Sequence, residues 1–396
     1  MDFKGQRAAL SMLPASIWWL GLVSLFMDLS SEMIHALLPA YLVAGLGASV
    51  FAVGVIEGIA ESTASITKVF SGALSDLTGK RKPLAIAGYG LAAATKPVFP
   101  LAGSLAAIVA ARFIDRIGKG IRGAPRDALV ADIAPPHLRG ASFGLRQSLD
   151  TVGAFLGPLA ALAIMIATDD SYIAVFWIAC LPALFAVAAL AFGVKEPERA
   201  DGAKAGPLPS WRQLWALGAP VWRVTGIGTV FSLARFSEAF FILRAQADGL
   251  APAFLPLVLV GMNIVYAVSA LPAGIVSDRT STRGRPLAIG IVLLICADLS
   301  LGLVAGMPGL VAALVFWGLH LGFTQGVLAA MVADAAPEQL RATAFGVFNL
   351  ATGVALLAAS SCAGALWTLY GMQWAFLGSA GIAAIALILL LVFPPR

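Results

Sequence analysis

The sequence predicts an all-α membrane protein of twelve transmembrane helices in two parallel six-helix repeats. The 396 residues are 60% hydrophobic and 12% charged, with a mean hydropathy of +0.90, so charged side chains are too few to cover a soluble domain. The apolar residues form continuous runs such as 172–194, comparable with the roughly 20 residues that cross a bilayer as a helix. Two motifs also recur at one spacing in the two halves of the chain.

The apolar runs predict twelve spans in chain order. Because the runs are continuous and do not alternate between apolar and polar residues, they favour helices over the strands of a membrane barrel. The spans are 14–42, 50–73, 83–103, 105–133, 140–167, 171–194, 219–247, 251–276, 285–305, 307–334, 341–368 and 372–393.

The connections between the spans alternate in charge. The loops 45–49, 169–170 and 305–308 contain almost no Lys or Arg, whereas the intervening connections are basic. Because Lys and Arg are enriched in cytoplasmic loops, the pattern predicts that both termini are cytoplasmic. We expect a plasma membrane protein, in a bacterium an inner-membrane protein. The basic residues are Lys80, Arg81, Lys82, Arg139, Lys195, Arg199, Lys204, Arg212, Arg279, Arg283, Arg285 and Arg341.

The middle of the chain separates two similar halves. The polar segment 195–218 predicts a cytoplasmic linker between an N-terminal bundle, 1–194, and a C-terminal bundle, 219–396. The sequence ADIAPPHLR around Asp132 recurs 202 residues later as ADAAPEQLR around Asp334, and GALSD ending at Asp76 recurs at the same distance as GIVSD. Parallel six-helix repeats are a known transporter plan, with the substrate site between the halves.

The loop between spans 2 and 3 carries the motif Gly72-x-Leu74-Ser75-Asp76-x-x-Gly79-x-Arg81-Lys82-Pro83. It resembles the loop signature of the major facilitator superfamily, a resemblance that covers essentially the whole chain and implies transport by alternating access. An Asp and an Arg at adjoining helix ends can form an ion pair that holds one conformational state closed and breaks in the other, which is called the latch below. The second copy lacks the glycine after Asp278, and the alternative is a turn kept for topology. The candidate latch residues are Gly72, Asp76, Gly79, Arg81, Asp132, Arg139, Asp278 and Arg341.

Span 4 contains charged residues every three or four positions, from Arg112 to Asp127, so that most share one helix face. Charge in the hydrocarbon must face a wet cavity or a partner, and the resemblance implies that helices 1, 4, 7 and 10 line such a cavity. Arg112 matches the buried arginine of the family's helix-4 motif, and Arg116 stands where that motif has glycine. The alternative is that the end from Lys119 onward is only solvated.

Span 1 places Asp28 and Glu32 one turn apart, with His35 beside them. The run EMIH from Glu32 resembles the helix-1 acid motif of twelve-helix drug/proton antiporters. Burial opposes the charged form of a carboxylate and a nearby Arg favours it, so a Glu32 that alternates between Arg112 and water is predicted to load and release a proton. Glu238 of span 7 is a similar acidic residue in the second half of the chain. Static ion pairs between helices, or divalent metal ligation by Asp28, Glu32 and His35, are the alternatives.

Span 5 reads Asp150-x-x-Gly153-x-x-x-Gly157-Pro158 and resembles the antiporter motif of the superfamily, although its final Gly-Gly is Ala-Ala here. In that resemblance the motif pivots helix 5 against a neighbour; the alternative is general small-residue packing. The remaining polar residues within the spans are candidates for contact with substrate. The cavity candidates are His35, Glu57, Glu61, Asp115, Arg116, Lys119, Arg235, Asn263 and His320.

Together these features predict a proton-coupled antiporter that exports a small organic solute, either anionic, zwitterionic or drug-like. The alternatives are a proton-coupled uptake symporter for an organic anion, or a divalent metal exporter using Asp28, Glu32 and His35. An enzyme is disfavoured because HExxH and GxSxG are absent, and a channel because latched halves suit alternating access. We expect a monomer without cofactor, resident metal or nucleic-acid partner; its partners are substrate, protons and the lipid bilayer.

Overall fold

The regular structure of this chain is helical wherever it is described. The computed structural model describes residues 12–135, 138–196, 217–279, 283–337 and 340–393, and within these ranges there is no strand. Most of the predicted linker, 195–218, lies outside the described residues, so the predicted domain boundaries stay a prediction. The side chains of Asp76, Asp278 and Arg341 also lie outside the described part of the structure.

The first half of the chain contains six long helices. Two short elements, Leu38–Ala40 and the π-helical turn Tyr41–Gly45, follow the first helix, Val98–Leu101 follows the third, and the π-helical turn Ala189–Gly193 extends the sixth. The helices are α1 (Ala15–His35), α2 (Val50–Thr78), α3 (Arg81–Thr95), α4 (Leu105–Ile133), α5 (Arg139–Ala167) and α6 (Tyr172–Ala188).

The second half begins with a divided helix. A short 3₁₀ turn, Pro252–Phe254, precedes the third of its helices. The helices are α7 (Gly218–Leu233), α8 (Ala239–Ala247), α9 (Pro256–Arg279), α10 (Gly284–Leu303), α11 (Gly306–Ala335), α12 (Arg341–Tyr370) and α13 (Met372–Val392).

Ten helices of the described chain are long and apolar enough to cross a membrane. The prediction of a helical membrane protein is confirmed at this level, and the count of twelve stays a prediction. The fourth predicted span is not among the ten although α4 has 29 residues, because charged side chains interrupt it. The seventh is not among them because it is divided into α7 and α8.

The division of the seventh span differs from the continuous helix 219–247 expected from hydropathy. Residues 234–238 leave the helix at a polar cluster that includes Arg235 and Glu238. Side chains satisfy the backbone groups that the break frees: Ser379 Oγ donates to Ala234 O (2.5 Å), and Ser237 N donates to Ser360 Oγ (3.1 Å). Unsatisfied backbone groups are costly in a membrane, so these contacts make the break tolerable.

Two compact units share the chain. The first comprises Met1–Leu37 and Thr63–Leu208, and the second comprises Leu38–Ser62 and Pro209–Arg396, so that α2 contributes to both. In the first unit α1 packs on α5 and α6, and α3 packs on α4. In the second unit α10 packs on α11 and α13, and an aromatic cluster fills the core. Its members are Phe236, Phe240, Phe241, Trp317 and Phe376.

Local signals set two helix ends in the first unit. Gly79 has φ +67° and follows the last residue of α2, a left-handed position that glycine occupies without a steric penalty. Ser104 Oγ accepts a hydrogen bond from Ala107 N (3.3 Å) and caps the start of α4. Arg81, at the start of α3, lies near the final turns of α4.

Candidate functional site

The crossing of α1 and α5 brings the helix-1 acids against the predicted helix-5 motif. A Cβ at Gly157 would lie 2.7 Å from Glu32 Cβ and 3.0 Å from Leu29 O, and one at Gly153 would overlap Leu25 O. Only glycine therefore fits at both positions, and Pro158 follows inside α5. The small residues of this motif set the distance between the two backbones at the level of Glu32.

Glu32 and His35 form a partly exposed acid–imidazole pair on α1. His35 Nδ1 lies 3.3 Å from Glu32 Oε2, and 14% of the His35 side chain and 25% of the Glu32 side chain are exposed. Arg112, the predicted partner of Glu32, is buried on α4. The pairing described for Glu32 is thus with His35, and an approach of Glu32 to Arg112 remains a prediction.

Asp28 lies one turn before Glu32 and contacts a carboxylate that the sequence analysis treated only as the start of the helix-5 motif. The carboxyl groups of Asp28 and Asp150 lie close enough for their charges to act on each other. Asp150 Oδ1 also lies 3.3 Å from Arg146 Nη1 and 3.7 Å from Arg126 Nη1. An ionised carboxylate only accepts hydrogen bonds, so a hydrogen bond between two carboxyl groups requires a proton on one of them. The spacing offered one signal for Asp150, because it precedes Gly153 by one turn and shares its face.

A second set of charges is buried where α1, α3 and α4 meet. Lys96 Nζ donates to Asp115 Oδ1 (3.0 Å) and to Ser31 Oγ (3.1 Å), and Lys96 is 2% exposed. Arg116 Nε lies 3.3 Å from Asp115 Oδ2, an ion pair without the alignment of a hydrogen bond. Asp115 and Arg116, predicted to contact substrate, are therefore buried in this network, whereas Lys119 is exposed.

The far end of α4 is only partly solvated. The Arg122 guanidinium lies over the ring of Tyr89, 4.9 Å from its centroid, and Arg122 is buried. Arg126 pairs with Asp127 at 3.0 Å. The alternative that this end of α4 is merely solvated is therefore wrong for Arg122, which α3 covers with an aromatic ring.

The second unit has its own polar cluster at the break between α7 and α8. Glu238 and Glu61 supply the negative charges that act on Arg235, and Tyr266 is also in reach. The Arg235 guanidinium lies 5.8 Å from the ring centroid of Phe231. One turn before Glu61, Glu57 is fully buried. The break between α7 and α8 therefore brings an arginine, carboxylates and aromatic rings together.

The other cavity candidates of the second unit differ in their surroundings. Asn263 is half-buried on α9, one turn before Tyr266, whose hydroxyl donates to Gln325 Oε1 (3.2 Å). His320 is fully buried, and its Nδ1 lies 2.8 Å from Gly290 O. Its ring packs between Phe231 and Trp317, with centroids 5.4 and 5.6 Å away. The structure thus places His320 inside the aromatic core.

The loop signature forms an ion pair within the first unit. Arg81 Nη1 lies 2.8 Å from Asp132 Oδ2 and donates to Ala128 O (2.6 Å), so it holds the start of α3 to the end of α4. A Cβ at Gly72 would be 3.3 Å from Ala124 Cβ, which keeps α2 close to α4. Arg139, the other predicted latch residue with a described side chain in this unit, is exposed.

The second unit contains an equivalent pair that the motif comparison overlooked. Arg283 Nε lies 2.6 Å from Asp334 Oδ2, and both residues stand 202 positions after Arg81 and Asp132. The sequence departure after Asp278 therefore leaves the pair between the ninth predicted span and the tenth in place. The common 202-residue offset was the signal that would have identified Arg283.

Carboxylate and imidazole groups do not converge as a metal site in the part of the chain that the structure describes. No group of three or more His, Cys, Asp or Glu side chains there has an arrangement that would hold a metal ion. His35 bonds Glu32, whereas Asp28 is in contact with Asp150. Asp28, Glu32 and His35 are therefore not gathered around one point.

Comparison with known proteins connects this geometry to transporters. The sequence model of the Major Facilitator Superfamily matches residues 20–254 and 226–396. An uncharacterised MFS-type transporter of Methanocaldococcus jannaschii is 31% identical over 392 residues, covering 96% of this chain and 95% of that protein. Multidrug resistance protein MdtH of Edwardsiella ictaluri is 25% identical over 388 residues, covering 92% and 91%. The crystal structure of a mutant nucleoside transporter, NupG, has a TM-score of 0.80 at 14% identity, covering 95% and 99%, which shows a shared fold.

Proposed function

The chain belongs to the Major Facilitator Superfamily and is a membrane transporter rather than an enzyme, and from this premise we propose that it exports a small organic solute in exchange for protons. The exchange is by alternating access, with both termini on the cytoplasmic side of the plasma membrane. The alternating charge of the loops supports this orientation, and reporter enzymes fused at either end would test it.

The observation that carries the proposal is the α1–α5 crossing, where proton-binding groups lie at a contact between two helices. Gly153 and Gly157 bring α5 against the face of α1 that holds Asp28 and Glu32. Glu32 is partly exposed beside His35, so water has access to an acid–imidazole pair. The carboxyl group of Asp28 lies close enough to Asp150 of the opposite helix for the two charges to interact. Protonation there changes the force between α1 and α5.

The Asp28–Asp150 pair supplies the mechanical step. With one proton shared, the two carboxyl groups hold α1 and α5 together through a hydrogen bond. Loss of that proton leaves two like charges in contact, which repel strongly where water is scarce. Arg126 and Arg146 compensate part of the charge on Asp150. Proton release therefore favours separation at the crossing, and Glu32 and His35, one turn along α1, form the relay between this pair and water.

The polar cluster of the second unit supports a zwitterionic or amphipathic solute. Arg235 can hold an anionic group, whereas Glu238 and Glu61 can hold a cationic one, and the half-buried ring of Tyr266 offers apolar contact. MdtH, a relative by sequence, is named a multidrug resistance protein, which supports export of an organic compound. In this proposal the solute binds at the cluster beside the break between α7 and α8.

Everted membrane vesicles test the coupling directly. The vesicles are energised to an acid interior, and a pH-sensitive dye is followed while lipophilic cations, organic anions, zwitterions and divalent metals are added outside. An antiporter dissipates the gradient only with its own substrate. We expect Glu32→Gln and Asp150→Asn to abolish that response at wild-type protein levels. Asp170→Asn is the matched control, because Asp170 is exposed in a loop at φ +64°, a conformation that Asn adopts readily.

Three results would contradict the proposal. If the Glu32→Gln and Asp150→Asn variants both dissipate the proton gradient as fully as the wild type, these two acids have no role in proton coupling. Dissipation only when the solute is preloaded inside the everted vesicles would indicate uptake by symport. A current that grows linearly with voltage and does not saturate with solute would indicate a channel.

A further inference from the structure

A lateral groove opens on the first unit between the start of α1 and the end of α6. Its volume is about 670 Å³. Its walls are mainly apolar and include four aromatic rings, and a hydroxyl and an ammonium group lie at one end. The side chains used below are Trp19, Phe26, Phe185 and Phe192 on the walls and Ser16 and Lys195 at the polar end.

The groove exists because α6 widens in its final turn. Residues Ala189–Gly193 form a π-helical turn, and Lys82 Nζ donates to Ala191 O (2.8 Å) from α3, which holds that turn open. A Cβ at Gly193 would overlap the ring of Trp19. The missing side chain therefore lets the indole lie directly against the backbone, where it lines the groove.

Apolar and polar groups are separated along the groove. Phe26 and Phe185 pack with ring centroids 5.9 Å apart at the apolar end. Ser16 lies ten residues before Phe26 on α1, which corresponds to about 15 Å along a helix. Ser16 Oγ accepts a hydrogen bond from Lys195 N (3.3 Å), and the Lys195 side chain is exposed.

The positive charge at the polar end is available to a ligand. The neighbouring acid, Glu196, accepts hydrogen bonds from Arg81 N (2.7 Å) and Lys82 N (3.0 Å), so its charge caps the start of α3. Lys82 itself is bound to the π-helical turn. Lys195 is thus left at the mouth of the groove, just beyond the apolar span Tyr172–Gly193.

We propose that this groove binds an anionic phospholipid. The lipid belongs to the membrane leaflet on the side of the protein where the basic connections lie. Its phosphate contacts the Lys195 ammonium and the Ser16 hydroxyl, and one acyl chain lies against Trp19, Phe26 and Phe185. Two observations select this occupant. The aromatic walls lie within membrane-spanning segments and are exposed, Phe185 to 59% and Phe192 to 90%, so they face hydrocarbon. Basic sites between helices at the membrane surface bind anionic headgroups.

Trp19 provides the probe for the test. The purified full-length protein is reconstituted in phosphatidylcholine vesicles with increasing fractions of phosphatidylglycerol or phosphatidylcholine carrying brominated acyl chains, which quench nearby indoles. The chain has 9 Trp residues, so the Trp19 signal is the difference between the wild type and Trp19→Phe. We expect the Trp19 fluorescence to fall by half at a fraction of brominated phosphatidylglycerol about fivefold lower than the fraction of brominated phosphatidylcholine that is needed. This is the ratio that one basic residue near a membrane surface supplies.

Variants separate the headgroup contact from the acyl-chain contact. Lys195→Gln is expected to remove the preference for phosphatidylglycerol and Lys195→Arg to keep it. Lys80→Gln, which removes another exposed cation of the same end, is expected to leave it unchanged. Ala188→Phe, which fills the groove, is expected to weaken quenching by both lipids, whereas Leu184→Phe, at an exposed position of α6 outside the groove, is not.

Any of three outcomes would overturn the proposal. Equal quenching of Trp19 by the two brominated lipids, or a preference that survives Lys195→Gln, would show that no anionic headgroup is recognised. A transported apolar solute could also relieve the quenching of Trp19 in vesicles where added phosphatidylglycerol does not change that quenching. Such a result would show that the groove binds solute instead of lipid.

Discussion

Replacement of Asp115 by Asn tests the buried network between α3 and α4. In the wild type Asp115 Oδ1 lies 3.0 Å from Lys96 Nζ, and the two side chains are only 3% and 2% exposed. After Asp115→Asn, the Lys96 ammonium keeps the Ser31 hydroxyl at 3.1 Å and loses its negative partner. Removing one partner of a buried ion pair costs about 3–5 kcal/mol of stability, and we expect a loss in this range.

The opposite replacement is expected to cost less. After Lys96→Met, Asp115 still has Arg116 Nε at 3.3 Å from its second oxygen, so the remaining charge is compensated. We expect a loss of about 1–3 kcal/mol, as for a buried group that loses a hydrogen bond. Lys96→Met combined with Asp115→Leu removes both charges and is expected to be less destabilised than Asp115→Asn alone.

Unfolding of the purified protein in mixed micelles, titrated with SDS and followed by tryptophan fluorescence, measures these differences. Asp334→Asn is the matched control, because the Arg283–Asp334 pair is 33% and 61% exposed and pairs of this kind contribute less than about 1 kcal/mol. If Asp115→Asn proves no more destabilising than Lys96→Met, or no more than Asp334→Asn, the buried pair does not have the energetic role assigned to it.

Three further changes have defined outcomes. Gly157→Leu is expected to lower stability by about 1–3 kcal/mol and to slow transport, because the new side chain would displace Glu32. Gly144→Ala is the control on the same helix: its Cβ would lie in open space, so we expect neither effect in the same assays. Ser379→Ala removes the one hydroxyl that lies within hydrogen-bonding distance of both Ala234 O (2.5 Å) and Asp298 Oδ2 (2.6 Å). We expect a cost of about 1–3 kcal/mol in SDS unfolding, and a loss below 0.5 kcal/mol would contradict that expectation. Glu32→Gln should fold as the wild type does by size-exclusion chromatography and yet lose proton exchange in vesicles; wild-type exchange would contradict the proposed relay.

The membrane-helical class, the family and the motif positions could be predicted from the sequence alone. Hydropathy is a local property of consecutive residues, so apolar runs locate helices without knowledge of their neighbours. Motif spacing likewise identified the loop that carries Arg81 and placed Glu32 and Gly157 as residues of interest. The prediction was less accurate for the seventh span, since a backbone break depends on distant side chains such as Ser379 and Ser360 to satisfy it.

The partners of the buried charges were decided only by the tertiary structure. A helical pattern tells which residues share a face, but the rotation and crossing of two helices determine which faces meet. For this reason Asp150 emerged beside Asp28, Lys96 beside Asp115 and Arg283 beside Asp334 only once the helices were packed. The groove at Trp19 has the same origin, because it arises from the wide final turn of α6 against α1, and neither helix forms it by itself.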